Sequence, residues 1–340
     1  MEVWQIILIV FGAYFLVMFL FSLLIYIMMN VKMKNRQDKN PLFKYFTTED
    51  YPGLEAKTFT FKNDKGLNLS GRLYTRKGLK DDTYLVFFHG YGGGHEAYTT
   101  LINDLVTTLE MPLLTFDYTG CDLSAGKNII HIVQPLVDAH SFLAYLQTVP
   151  TYKGKKLVLI GHSWGGYVAT NLYPFNKDKN IIKVVDLNGV TDFGLYIKTL
   201  ARAPYLFVPM FRLFSAFKYG KFAFATTRDN IKNTPIPHLI MHGEKDVVVP
   251  FTPFISSLVL QKDKYSNIKF HFENDKNHLV YLTVDGEKHL GELMSMTMEY
   301  NKQKVKDEEL KEKIINYDFT KTVENDAKTL EVIKKFVKGE

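Results

Sequence analysis

Four short stretches of this sequence carry residue types that could carry out acyl transfer together. The first is Gly161-His162-Ser163-Trp164-Gly165-Gly166. Glycines on both sides of a serine let the backbone turn sharply and approach its neighbours closely, which exposes the hydroxyl. A serine hydroxyl is a weak nucleophile and needs an adjacent base, which in turn needs an orienting carboxylate. His278, in Asn274-Asp275-Lys276-Asn277-His278, offers the base, and Asp246, in His242-Gly243-Glu244-Lys245-Asp246-Val247-Val248-Val249-Pro250, offers the acid. Glu244 is the rival acid, but it stands nearer the preceding apolar run. Among rival histidines, His271 falls inside an apolar run, His242 precedes the acid and His289 lies in a charged segment. The second chemical requirement is a pair of amide donors for a tetrahedral oxyanion. The glycine-rich His89-Gly90-Tyr91-Gly92-Gly93-Gly94 supplies one through the N–H of Tyr91, and the N–H of Trp164 supplies the other. A phosphate cradle is the weaker reading of that loop, because neither a Lys-Ser/Thr pair nor a GxGxxG spacing accompanies it.

Each of these stretches follows an apolar run of strand length. Such runs recur at 58–61, 67–74, 84–88, 113–116, 157–160, 181–187, 238–241 and 268–272. The first two alternate and predict an antiparallel edge hairpin; the later ones are short and continuous, as strands buried on both faces should be. Helical patterns at 133–146 and 166–173 fall between them. Strand alternating with helix predicts a mostly parallel sheet covered on both sides, with ligand chemistry at the C-terminal strand ends. Two segments interrupt the rhythm. Residues 190–235 are rich in Tyr and Phe and too apolar for a solvated loop, and residues 284–318 are highly charged and predicted helical.

Residues 3–29 contain no charged side chain in 27 positions. As a helix this run is roughly 40 Å long, enough to cross a hydrocarbon core of about 30 Å. Trp4 and Tyr26 near its ends suit the interface. A cleavable signal peptide predicts a basic leader, a shorter apolar stretch and small residues at the exit. Here Glu2 precedes the run, and Ile25, Tyr26, Ile27 and Met28 fill the exit. The expectation is a retained single-pass anchor at residues 1–30, followed by a juxtamembrane linker at 31–50. Lys32, Lys34, Arg36 and Lys39 flank the run on one side only. That asymmetry places residues 31 onward in the cytoplasm and brings the cations near anionic headgroups. Elsewhere the 42 Lys and Arg interleave with 36 Asp and Glu, so no nucleic-acid footprint is expected. The lone cysteine, Cys121, excludes an internal disulfide and a Cys-rich metal site.

Taken together, HGYGGG, GHSWGG, HGEKDVVVP and NDKNHL, in that order, make the sequence resemble an α/β-hydrolase from about residue 57 to 338. The resemblance implies an eight-stranded, mostly parallel sheet in a domain at 51–340. A helical lid lies at 190–235, after the sixth strand, and a charged insertion at 284–318. It implies Ser163 as nucleophile, Asp246 as orienting acid and His278 as base, in the chain order usual for the fold. Many relatives resemble D-Y-R-G-x-G-x-S after the fourth strand, whereas this chain reads Asp117-Tyr118-Thr119-Gly120-Cys121-Asp122-Leu123-Ser124. The function expected is hydrolysis of a carboxylic ester through an acyl-enzyme, with no metal or organic cofactor required. A small-molecule ester with an apolar or lipid-derived acyl group is the expected substrate. Acyl transfer or peptide cleavage by the same residues, and a non-catalytic membrane scaffold, are the alternatives.

Overall fold

The computed structural model describes residues 2–80 and 82–340. Met1, the first residue of the expected anchor, and Asp81 lie outside the described residues. The strands are β1 (Glu55–Lys62), β2 (Asn68–Thr75), β3 (Thr83–Phe88), β4 (Leu113–Phe116), β5 (Lys156–His162), β6 (Ile181–Leu187), β7 (His238–Gly243) and β8 (Ile268–Glu273). They form one eight-stranded sheet in the order β1-β2-β4-β3-β5-β6-β7-β8. β2 pairs antiparallel with both β1 and β4, and every other pairing is parallel. All eight apolar runs of the sequence are therefore strands. The hairpin turns at Asn63-Asp64-Lys65-Gly66, where the Asn63 side chain accepts from the amides of Lys65 and Leu67 and Gly66 takes a positive φ. β1 is largely exposed because it is the sheet's edge, whereas β3, β4 and β5 are buried on both faces.

The helices are α1 (Val3–Lys32), α2 (Thr99–Leu109), α3 (Gln134–Leu146), α4 (Trp164–Asn171), α5 (Phe193–Leu200), α6 (Phe207–Tyr219), α7 (Thr227–Lys232), α8 (Phe251–Val259), α9 (Val284–Lys302), α10 (Glu308–Ile315) and α11 (Ala327–Lys338). Two apolar layers sandwich the sheet. One gathers Val86, Phe88, Phe116 and Leu159 with α3 and α4; the other gathers Leu85, Phe87, Val158 and Ile160 with α2 and α11. Residues 190–235 fold into α5, α6 and α7 over the C-terminal ends of the strands. Phe193 packs on Tyr167 of α4 at 4.5 Å between rings, and Arg212 of α6 pairs with the α5 cap Asp192 at 2.6 Å.

α1 is long and apolar enough to cross a membrane, and its residues up to Val17 are almost all exposed. From Met18 onward one face packs on α6, with Phe19 5.3 Å from Phe214 between ring centres. Residues 31–50 are themselves docked on the domain. The Arg36 guanidinium donates to the carbonyls of Asp122, Ser124 and Gly126, inside the loop that lacks the arginine common in relatives. Lys39 pairs with Glu96, so of the four flanking cations Lys32 and Lys34 are the exposed pair. Further on, Phe43 and Phe46 pack with Leu293, Ile314 and Phe319. The charged segment is thus a helical hairpin, α9 and α10, whose apolar stripe holds the chain that leaves α1.

Candidate active site

β5 ends at His162, and Ser163 starts α4 with φ 56° and ψ −112°. A non-glycine residue at positive φ is strained, and here the surroundings enforce it. A Cβ at Gly161 would meet the backbone of Gly165, and one at Gly165 would meet the carbonyls of Phe88 and His89. Only glycine allows strand and helix to approach so closely. The sharp turn lifts the Ser163 hydroxyl off the sheet at the N-terminus of a helix, where negative charge is favoured.

The loops after β7 and β8 bring Asp246 and His278 to that hydroxyl. His278 Nε2 lies 2.9 Å from Ser163 Oγ, and His278 Nδ1 lies 2.8 Å from Asp246 Oδ2. A carboxylate only accepts, so Nδ1 carries the hydrogen and Nε2 is free to take the serine proton. Burial pushes the Asp246 carboxyl up, but bonds and charge from His278 and the Val249 N–H outweigh it and hold the group below the usual range. Asp246 Oδ1 accepts from the amides of Val248 and Val249, both at 2.8 Å. Glu244 is exposed and outside this relay. His271 pairs with Glu273, His289 with Tyr317, and His242 with the Val249 carbonyl.

Tyr91 follows β3 and Trp164 follows Ser163, and their rings lie 5.6 Å apart. Neither backbone N–H has an acceptor among the described residues. Both residues line the same cavity as Ser163. His89 is buried and bonded to Gly90 O and the Tyr118 amide, and burial lowers it to about 4. It is a neutral strand-end prop. Cys121 is buried, and burial raises its thiol well above the ordinary value. Among the described residues, no cluster of three or more His, Cys, Asp or Glu side chains is arranged as a metal site.

Three residues not singled out from the sequence complete the arrangement. Asn188, after β6 at φ 53°, donates to Asp246 Oδ2 at 2.8 Å and to Asn277 O at 3.1 Å, and accepts from the Val280 amide. It ties together the loops that carry Asp246 and His278. His162 and Tyr98 form a second tie. The Gly90 amide donates to Tyr98 Oη, whose hydroxyl donates to His162 Nδ1, and His162 Nε2–H donates to the His278 carbonyl at 3.0 Å. Burial lowers His162 to about 3, so the ring stays neutral and keeps this polarity. The chain of bonds links the glycine-rich loop after β3 to the backbone of His278. Tyr98→Phe leaves His162 Nδ1 and the Gly90 amide unpaired, and should cost about 1–3 kcal/mol in chemical denaturation. It should also lower kcat/KM several-fold; unchanged stability and unchanged kinetics would show that the tie is idle.

Asp186, near the end of β6, packs against Gly166 and Gly189 beneath the serine turn. It is fully buried, and burial pushes its carboxyl up to about 7. The unfolded chain releases that proton near pH 3.9 while the folded chain keeps it. Stability is therefore lost as pH rises from about 4 to about 7, by about 4 kcal/mol at most. Asp186→Asn should raise the melting temperature at pH 8, with a gain that shrinks as pH falls towards 4. An equal change at both ends of that range would contradict the assignment.

Above Ser163 lies a cavity of about 460 Å³, within the range of small-molecule sites. Ser163, Trp164 and Tyr91 form its floor, α5 contributes Phe193, Tyr196 and Ile197, and the C-terminal turns of α1 close another side. Its lining is predominantly apolar. The model of the alpha/beta hydrolase family matches residues 85–231, the stretch from β3 to α7 that includes the serine turn. This chain has the α/β-hydrolase fold. An esterase of Pyrococcus furiosus is similar over 73% of this chain and 90% of its own, at 20% identity and a TM-score of 0.54. Acetyl xylan esterase 1 of Thermoanaerobacterium is similar over 76% of this chain and 88% of its own, at 13% identity and a TM-score of 0.50. Est1E of Butyrivibrio proteoclasticus, solved with ferulic acid, is similar over 76% and 98%, at 18% identity and a TM-score of 0.50.

Proposed function

We propose that this protein is a membrane-anchored serine hydrolase that cleaves carboxylic esters with an apolar acyl group. The observation that carries this reading is the relay from Asp246 through His278 to Ser163, ending in an apolar cavity. In the first half-reaction Ser163 Oγ bonds to the ester carbonyl carbon as its proton passes to His278 Nε2. The amides of Tyr91 and Trp164 stabilise the oxyanion. The carbon–oxygen bond to the alcohol then breaks, and His278 returns the proton to the leaving oxygen. In the second, His278 takes a proton from water, the hydroxide attacks the acyl-enzyme, and Ser163 recovers its proton as the acid departs. Asp246 stays ionised throughout and holds the imidazolium. The esterases similar in fold support the ester chemistry. The role of α1 in closing the cavity favours a retained helix over a cleaved leader, since cleavage would open the pocket.

The full-length protein in detergent micelles, assayed on p-nitrophenyl esters from acetyl to decanoyl and on the matching anilides, tests the reading. Esters should turn over with kcat/KM rising with chain length, and anilides should be far slower. Activity confined to acetyl esters would contradict an apolar acyl site, and faster anilide cleavage would contradict ester chemistry.

A further inference from the structure

Ile25, Met28, Met29, Lys32 and Met33 are spaced at i, i+3, i+4, i+7 and i+8, so they share one face of α1, and that face lines the cavity above Ser163. The helix divides into two parts. Its residues to Val17 are almost all exposed apolar side chains, and its later turns are built into the fold. About 20 residues span the hydrocarbon core, so a span that begins at Val3 leaves it near Ser22. The cavity wall begins one turn later, at Ile25. On either side of these points α1 lies against α6, with Phe19 and Tyr26 5.3 and 5.5 Å from Phe214 between ring centres. α6 turns Leu213 and Phe217 outward, exposed by 46% and 84%. Large exposed side chains beside a membrane helix suit an element seated in the interface, its apolar face in the acyl boundary.

With the span placed so, the cavity starts where the bilayer ends, and one continuous helix runs from the hydrocarbon to the candidate nucleophile. We propose that α1 is part of the substrate site as well as an anchor. The acyl chain of a membrane-borne ester enters along the 25–33 face and lies against Met28, Met29 and Met33, which brings its carbonyl to Ser163. Three methionines suit this wall, because unbranched thioethers adapt to chains of different shape. The chain never crosses open water, and the ester reaches the nucleophile from the interface. This inference rests on Ser163 being the nucleophile of an esterase.

The test uses the full-length protein in phosphatidylcholine vesicles and an alkyl fluorophosphonate whose decyl chain ends in a diazirine. The probe bonds to Ser163 Oγ with loss of fluoride, and irradiation then marks what the chain end touches. Cross-links mapped to residues 25–33 are the expected result. Cross-links confined to α5, α6 or the sheet would overturn the role of α1. Failure to label Ser163 would instead remove the hydrolase reading, and this inference with it. In the same vesicles Met28→Trp, which fills the cavity, should lower the ratio of decanoyl to acetyl ester turnover by about tenfold. Leu16→Trp, on the exposed part of the helix, should leave that ratio at its wild-type value. A ratio unmoved by Met28→Trp would count against the proposal.

Discussion

Ser163→Ala should lower kcat for any ester this protein cleaves by roughly 10⁴- to 10⁶-fold while leaving the fold in place. The large effect follows from the geometry, because the Ser163 hydroxyl both donates to His278 Nε2 and faces the cavity. Removing it leaves the amides of Tyr91 and Trp164 to act on water alone, which accounts for a small residual rate. The fold should tolerate the change, since what the turn demands is glycine at 161 and 165 and a residue able to take positive φ at 163. Alanine pays no more backbone strain there than serine does. Circular dichroism and thermal melting should match wild type, and steady-state kinetics should not. A variant that keeps more than about one per cent of the wild-type rate would move the chemistry elsewhere.

Asp246→Asn should have the second-largest effect, a loss of about 10³- to 10⁴-fold in kcat. Asp246 accepts from His278 Nδ1, and that acceptance sets the tautomer whose Nε2 can take the serine proton. An amide in its place can turn a donor towards Nδ1 and select the wrong tautomer. The carboxylate also takes bonds from Asn188 and from the amides of Val248 and Val249, so the loop should keep its position in the variant. Glu244→Gln provides the contrast. Glu244 is exposed, and its change should leave kcat within about twofold. Kinetics of the two variants side by side decide between the carboxylates; a larger loss at Glu244 would reverse the assignment.

Much of this was legible along the chain because it is local. Strand runs, the glycine-flanked serine and the loops carrying Asp246 and His278 each announce themselves within a few residues, and all eight predicted strands are present. What was not legible depends on long-range contact. Asn188 looks like an ordinary residue before a glycine, and its value comes from touching loops 58 and 89 residues away. Tyr98 and His162 read separately as an aromatic and a neighbour of the serine, and their shared bond spans 64 residues. Arg36 read as one of four flanking cations, yet its guanidinium fills the loop after β4. The apolar run at 3–29 announced a helix apolar enough to cross a membrane but not that its last turns wall a cavity, because hydropathy reports composition and says nothing of what a face meets.

The most direct measurement is intact-mass and peptide analysis of the purified full-length protein after treatment with a fluorophosphonate. One phosphonyl group should be added, located on Ser163, and Ser163→Ala should remain unlabelled. Equal labelling of wild type and Ser163→Ala would contradict the account.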